Sequence, residues 1–287
     1  MIALRPATRG LRELHDADLP ALRAMLDADP IANAAVTARL EAAGKVRGPA
    51  LGGWFLGAGE PIDAACYVGG SVAPIGGDPA AWDAFAARLA AAPRRCSSLI
   101  GAVDAVEALR LVLERSWGPA RIIRLAQPLL AADAASVGVA GVAADPDVRP
   151  ASRNELASYL PAAAAMFAEE LGVAPFDGPR RPTHLDRLAE LIAAGRVLVK
   201  IDTHGQVVFK AELAAVTART CQVQGVWVRP DIRGRGLGTA AMATVLRIAL
   251  TRAPTASLYV NDFNTSARRM YARLGMREVG TLSTVLF

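Results

Sequence analysis

Hydrophobic and polar residues alternate in two distinct ways along the second half of the chain. Residues 154–172 and 183–194 carry apolar side chains at helical spacing. Shorter runs rich in β-branched residues alternate with a period of two, which predicts strands. Residues 148–152 open this half, and the predicted elements that follow are helices at 154–172 and 183–194, strands at 196–201, 207–215 and 220–228, a helix from Gly238, a strand at 257–261 and the last strands at 277–287. This mixture predicts an α/β (α+β) domain over residues 148–287.

The first half shows a similar order of patterns. Its predicted elements are helices at 18–26, 31–43, 79–91 and 105–116, and strand-like runs at 53–56, 63–73 and 98–103. Residues 131–147 are small and weakly patterned, which favours a connector. We therefore expect an N-terminal α+β domain at 1–130, a linker at 131–147 and a second domain at 148–287.

Length and composition limit the functional classes. A chain of 287 residues with 53% hydrophobic residues can form one large or two ordinary domains. The net charge of +5 is modest and the arginines are scattered, so a nucleic-acid partner is not expected. The three cysteines lack metal spacing and the three histidines form no cluster, which argues against a metal site. With no signal peptide and no long apolar run, we expect a cytoplasmic protein without a membrane partner.

A glycine-rich turn between a strand and a helix is the most informative segment of the chain. Gly236 and Gly238 remove side chains that would keep a ligand from the backbone, and free N–H groups at a helix start favour anions. Arg233 and Arg235 add guanidinium groups suited to phosphate oxygens. The spacing fits neither a P-loop nor a dinucleotide fingerprint. The residues assigned to this pyrophosphate cradle are Arg233, Gly234, Arg235, Gly236, Leu237, Gly238 and Thr239.

Two ordered motifs resemble the GCN5-related N-acetyltransferase (GNAT) family. The first is Arg-x-x-Gly-x-Gly at residues 233–238, which resembles the acyl-CoA signature of that family. The second is Asn-x-x-Ala-x-x-x-Tyr-x-x-x-Gly at residues 264–275, with Met276 where phenylalanine is usual. The resemblance implies a mixed central sheet in which two strands splay apart, with acetyl-CoA as the acyl donor.

The same resemblance implies roles for individual residues. Backbone groups of Val226, Trp227 and Val228 are expected to pair with pantetheine, and the turn containing Asn264 and Ala267 to hold it. Tyr271 is expected to protonate the departing thiolate as general acid. The implied reaction is direct attack of a primary amine, on a small molecule or a protein, in a ternary complex. Trp227 is otherwise expected to line the core or the acceptor pocket.

The general base is uncertain from the sequence. The strand before the cradle carries Gln222 and Gln224, where many family members have a glutamate. Glu212 on the neighbouring strand is the best substitute, although an ion-pair role is an equal alternative. The next candidates are Asp262, Glu169, Glu170 and the terminal carboxylate of Phe287. An amine that arrives neutral needs no strong base.

The whole chain resembles an actinobacterial group of acetyltransferases with an N-terminal domain of unknown function. Residues 209–212, 221–228 and 257–264 carry this resemblance. The first half is interpreted as a degenerate GNAT-like domain, which has lost its cradle. Where the cradle is expected, Asp78 repels phosphate and Pro79 lacks an N–H. An unrelated α+β domain is the alternative. Functional alternatives are a non-catalytic acyl-CoA sensor and a first half that positions a macromolecular substrate. The acceptor and the oligomeric state stay open, a homodimer included.

Overall fold

The computed structural model describes residues 10–172 and 181–287, so residues 1–9 of the expected first domain lie outside the described part. The chain divides into two compact units. The first contains residues up to Leu129 together with Tyr259–Phe263 and Glu278–Phe287, and the second contains Leu130–Leu258 and Asn264–Arg277. The last strand, which the sequence suggested for the second domain, therefore belongs to the first unit.

The elements follow one another in two similar series. The first series is β1 (Leu11–Glu13), α1 (Leu19–Ala28), α2 (Ala34–Ala43), β2 (Trp54–Ala58), β3 (Ala64–Val68), β4 (Ser71–Gly76), α3 (Pro79–Ala90), β5 (Ser98–Ala102), α4 (Val103–Trp117) and β6 (Ile122–Asp133). The second is α5 (Ala134–Ala140), β7 (Arg149–Pro150), α6 (Leu156–Leu171), α7 (Arg181–Ala193), β8 (Val197–Ile201), β9 (Val207–Val216), β10 (Thr220–Val228), α8 (Leu237–Leu250), β11 (Thr255–Tyr259), α9 (Thr265–Arg273) and β12 (Arg277–Leu286). From β1 and from β7, the order of strands and helices is the same.

The sheet of the first unit is covered by helices on both faces. Its strands lie in the order β1-β2-β3-β4-β5-β12, antiparallel except for the β4–β5 pair. Alternate residues of β3 enter two different cores: Cys66 packs with Phe85 of α3, whereas Tyr67 packs with Leu22 of α1. The predicted strand-like run at 63–73 is two strands, because Gly69 and Gly70 form a turn within it.

The second unit contains the other sheet segment, in the order β11-β10-β9-β8-β7. All neighbours are antiparallel except β10 and β11, which are parallel. Helices α6 and α7 pack on one face, where Tyr159, Met166 and Leu191 are buried against Val197 and Trp227. The strands from β8 to β10 start and end within one residue of the predicted bounds.

The expected linker at 131–147 is structured and corrects that prediction. It contains the end of β6 and helix α5, whose first turn is capped by Asp133, since its carboxylate accepts a hydrogen bond from Ser136 N at 2.8 Å. Farther on, the Asp145 carboxylate accepts from Lys200 Nζ at 2.7 Å, and its backbone N–H donates to Ala240 O at 3.1 Å. These contacts fix the segment to β8 and α8.

Across residues 10–172 and 181–287, no helix combines the length and apolarity that membrane crossing requires.

Candidate functional site

Strands β10 and β11 separate within the second unit. Their parallel pairing covers three residue pairs and ends at Gln222 and Ser257, although β10 continues to Val228. Beyond that point, the described part of the chain provides no ladder partner on the β11 side of β10. The ladder thus ends where the expected splay of the two strands would open a gap, directly before the cradle.

A β-bulge shapes the part of β10 that borders this gap. Gln224 lies opposite Glu212 and Trp227 opposite Lys210, so Gly225 and Val226 together face the single residue Ala211 of β9. Gly225 has a φ of +61°, a left-handed conformation that glycine adopts without strain. The bulge therefore changes the direction of the β10 backbone just where Val226, Trp227 and Val228 were expected to meet pantetheine.

The cradle is an open turn at the start of α8. Gly234 and Gly236 have φ of +76° and +81°, and no heavy atom lies within 4 Å of where their side chains would begin. Thr239 N–H donates to Gly236 O at 3.0 Å, as in an ordinary first turn. Within residues 10–172 and 181–287, the N–H groups of Leu237 and Gly238 have no backbone partner outside the helix. These donors and the helix dipole suit an anion.

The two cradle arginines have different surroundings. Arg235 is exposed to solvent. Arg233 is held: its Nε donates to Val228 O at 2.8 Å, and its Nη2 contacts Glu169 Oε2 at 2.7 Å. The other Glu169 oxygen accepts from Trp227 Nε1 at 3.1 Å. Burial raises the pKa of Glu169, but these two donors outweigh it and the pKa lies below its ordinary value.

Trp227 is a core residue, in line with one of the two roles considered for it. Its side chain is 7% exposed and packs with Tyr159, Met166 and other residues of α6 and α7. Because its indole N–H donates to Glu169, the orientation of the Trp227 ring is fixed. Glu169 therefore connects the core to the cradle and is a poor candidate for a free base.

Helix α9 carries the second motif. Asn264 is its N-cap, and its side-chain oxygen accepts from Ala267 N at 3.1 Å. The amide NH₂ of Asn264 stays available as a donor, since the cap uses only the oxygen. Tyr271 lies one turn after Ala267 and is buried at 5% exposure. Burial raises the pKa of its phenol, and the Glu170 carboxylate raises it further, so the hydroxyl stays protonated at neutral pH.

Glu212 is part of a buried network that the sequence did not reveal. Its Oε1 accepts from the Tyr159 hydroxyl at 2.6 Å and from Lys210 Nζ at 3.3 Å, while Oε2 accepts from Gln224 Nε2 at 3.1 Å. Lys210 Nζ also donates to the Tyr159 hydroxyl at 3.1 Å and to Gly225 O at 3.0 Å. Lys210 and Glu212 lie in a strand of otherwise apolar residues, and this pattern could have indicated that both are buried.

Electrostatics of this network favour the ion-pair interpretation of Glu212. Burial raises its pKa, but the Lys210 charge and the hydrogen bonds from Tyr159 and Gln224 outweigh it, and the net shift is downward. Both carboxylate oxygens are engaged. Burial lowers the pKa of Lys210 and raises that of Tyr159. A carboxylate that is bonded at both oxygens and has a lowered pKa is a weak proton acceptor.

Comparison with known families agrees with this geometry. Residues 163–276 match the acetyltransferase (GNAT) family, and residues 53–159 match a domain of unknown function (DUF4081). The chain carries a GNAT domain. That domain includes the separated strands, the cradle and the helix with Tyr271, and the domain of unknown function precedes it, as the resemblance implied. No curated protein matches the chain significantly.

Several solved structures share the fold over nearly the whole chain. A Drosophila protein is 15% identical with a TM-score of 0.64, covering 97% of this chain and 99% of that one. A GNAT-family acetyltransferase from Colwellia psychrerythraea is 11% identical with a TM-score of 0.59, covering 96% and 99%. A GCN5-related N-acetyltransferase from Sphaerobacter thermophilus is 19% identical with a TM-score of 0.56, covering 98% and 96%. At these identities the likeness concerns the fold.

The first unit repeats the element order of the GNAT domain, but side chains occupy the turn that corresponds to the cradle, which is called the filled turn below. The Asp78 carboxylate caps α3 by accepting from Ala81 N at 3.0 Å, so it covers the helix start. A side chain on Gly77 would begin 2.7 Å from the Ala64 side chain. Strands β4 and β5 also stay close beyond their last pair, since a side chain on Gly101 would begin 3.3 Å from Pro74.

Proposed function

We propose that this protein is an acetyl-CoA-dependent N-acetyltransferase that transfers an acetyl group to a primary amine by direct attack in a ternary complex. The observation that carries the proposal is the early end of the β10–β11 ladder next to a turn at the start of α8, where the Leu237 and Gly238 N–H groups have no backbone partner outside the helix among the described residues. An extended pantetheine fits such a gap as an added strand, and a pyrophosphate fits the helix start. The Tyr271 helix follows β11 in the chain.

The donor-binding roles follow from the groups that each residue offers. Backbone groups of Val226–Val228 hydrogen-bond the pantetheine amides, and the cradle residues 233–239 hold the pyrophosphate. Arg235 supplies a solvent-exposed guanidinium, whereas Arg233 braces the turn through Glu169. The Asn264 amide NH₂ donates to a pantetheine carbonyl, and Ala267 supports it by anchoring the Asn264 oxygen.

The proposed acetyl transfer needs few protein groups. The amine nitrogen attacks the thioester carbonyl carbon, the carbon–sulfur bond breaks, and the sulfur takes a proton from Tyr271. The amine loses one proton to water, and Tyr271 regains one from solvent. Its raised pKa supports a phenol that stays protonated and donates to sulfur only as negative charge develops there. Holding both substrates in the gap provides the orientation that the reaction needs.

The acceptor is expected to react as the neutral amine. Gln222 and Gln224 cannot take a proton, and Glu212 is held in its buried network. Among the candidate bases, Glu170 is exposed and its charge raises the pKa of Tyr271, so its carboxylate can attract the amine in its cationic form, and the amine reacts after it has lost that proton to water. A non-catalytic acyl-CoA sensor is the alternative that a missing base would also permit.

The experiment is calorimetric titration of the intact chain with acetyl-CoA and with CoA, followed by thiol release with a panel of primary amines. We expect one acetyl-CoA per chain, since the first unit has a filled turn. Tyr271→Phe should keep the acetyl-CoA Kd within about twofold and lower turnover by about a hundredfold. Tyr67→Phe, which removes a buried hydroxyl in the first unit, is the matched control and should change neither.

Two results would contradict the proposal. Absence of acetyl-CoA binding removes the donor assignment altogether. Binding without thiol release for any amine, unaffected by Tyr271→Phe, identifies a sensor. A stoichiometry of two per chain would instead show that the first unit binds CoA despite Asp78.

A further inference from the structure

The side chain of Lys210 is fully buried beneath the β10 bulge. Lysine is among the residues least often found without solvent contact, because a buried ammonium loses its hydration. Its charge is balanced by Glu212, which is itself 7% exposed. Replacing such a pair with apolar residues is often neutral or stabilising, so fold stability alone is a weak reason for a buried pair here.

The three donors of the ammonium have three acceptors. Lys210 Nζ contacts Gly225 O at 3.0 Å, the Tyr159 hydroxyl at 3.1 Å and Glu212 Oε1 at 3.3 Å. Only the first of these acceptors belongs to β10, and it is the backbone carbonyl of the bulge itself. A charged donor makes this hydrogen bond stronger than an ordinary one between backbone groups.

The fit between Lys210 and Gly225 is close. A side chain on Gly225 would begin 3.0 Å from Lys210 Nζ and 3.4 Å from Glu212 Oε1. Glycine at this position therefore serves two needs, a positive φ and room for the ammonium. The bulge interrupts the β9–β10 ladder at Gly225 and Val226, so the contact from Lys210 replaces part of the missing restraint.

We propose that Lys210 is a positioning residue that holds the Gly225 carbonyl, and thereby fixes the bulge so that a backbone N–H of residues 226–228 meets the thioester carbonyl. Tyr159 and Glu212 hold the ammonium in place from the α6 and β9 sides. The inference rests on the proposed function, because it concerns the orientation of donors toward acetyl-CoA. The Lys210–Glu212 pair thereby helps to polarise the thioester carbonyl, in addition to packing in the core.

The test compares the intact protein with Lys210→Met/Glu212→Gln, which removes both charges together and leaves no unpaired ion. The first readout is isotope-edited infrared difference spectroscopy of bound acetyl-CoA labelled at the thioester carbonyl. A hydrogen bond to that carbonyl lowers its stretching frequency. The second readout is the Kd of acetyl-CoA relative to that of CoA, which lacks the carbonyl. Lys200→Met, which breaks the ion pairs of Lys200 with Asp145 and Asp147 in the same unit, is the matched control.

We expect the lowered carbonyl frequency of the wild type to return toward its value in water in the double variant. Acetyl-CoA should bind about fivefold more weakly while CoA affinity is unchanged. Lys200→Met should keep the wild-type band and both affinities. Gly225→Ala, whose methyl group displaces the ammonium while both charges remain, should reproduce the loss and serves as the test if the double variant does not fold.

The outcomes separate this inference from the proposed function. A folded double variant, or Gly225→Ala, with an unchanged carbonyl band overturns the role of Lys210. A wild-type protein that binds acetyl-CoA without any frequency shift also overturns it, while leaving donor binding intact. A wild-type protein that does not bind acetyl-CoA refutes the proposed function itself.

Discussion

Removing the Tyr159 hydroxyl should destabilise the second unit more than removal of any ordinary buried hydroxyl. In Tyr159→Phe, Glu212 loses its 2.6 Å donor and Lys210 loses its 3.1 Å acceptor. Hydrogen bonds to charged groups contribute about 1.5–3 kcal/mol each, and the two bonds share one hydroxyl. Because the ring is fully buried, water cannot replace it without rearrangement. We expect the free energy of unfolding to fall by about 3 kcal/mol.

Tyr67→Phe provides a matched comparison for this prediction. The Tyr67 hydroxyl is also buried, but it shares its proton between the neutral carbonyls of Leu51 and Gly52 at 3.0 and 3.1 Å, and the charge beside it belongs to the solvent-exposed Arg39. Loss of this hydroxyl should cost about 1 kcal/mol. Equilibrium urea unfolding gives both values, and native-state hydrogen exchange at the β9 amides assigns the larger loss to the second unit. If Tyr159→Phe costs no more than Tyr67→Phe, the charges of Lys210 and Glu212 do not strengthen the network and the reasoning is wrong.

Three further predictions concern the cradle, the acceptor and acid stability. Gly236→Ala introduces about 1–2 kcal/mol of backbone strain without a steric clash and should weaken acetyl-CoA binding about tenfold in calorimetry. The control is Gly205→Ala, at a glycine with a similar φ of +76°, which should leave acetyl-CoA binding unchanged. The inflection of the pH–rate profile should shift with the pKa of the amine tested; a fixed inflection near pH 4–6 would indicate a carboxylate base. The Arg149 guanidinium and the Ser152 N–H hold the pKa of Glu155 at about 2, so its contribution to stability is complete above pH 4.5 and is lost as pH falls toward 2. Glu155→Gln should therefore reduce that loss in pH-dependent unfolding; an unchanged pH dependence would contradict it.

The sequence predicts best where one local signal determines the structure. A glycine turn running directly into a helix was predicted from its residues, and the positive φ of Gly234 and Gly236 shows why glycine is suited to it. The N-cap at Asn264 was not predicted, although it too is a short-range residue preference. The strand from 220 to 228 was also predicted with its observed bounds, because its apolar pattern is long and regular.

The parts that were missed depend on distant partners. Strand β6 lacks a clear alternation of apolar and polar residues, and the pairing of β12 with β5 joins residues about 180 positions apart. The prediction of a linker at 131–147 failed because its small residues were interpreted as a flexible connector. Asp133 and Ser136 nevertheless form a signal for the start of a helix. Glu212 could be placed on a strand next to β10, but its partner Tyr159 lies on a helix 53 positions earlier, which no local pattern reveals.

The position of β12 affects how the chain can fold during synthesis. This strand lies between β5 and β6 in the sheet order, and Val285 is buried in the same core as Leu99 and Phe85. The ribosome releases residues 278–287 only after the entire GNAT domain, so the first unit, although translated first, cannot close its sheet until then. During that interval the edge of β5 is a free strand edge that can pair with other chains. The first unit, which is made before the GNAT domain, is thus completed after it.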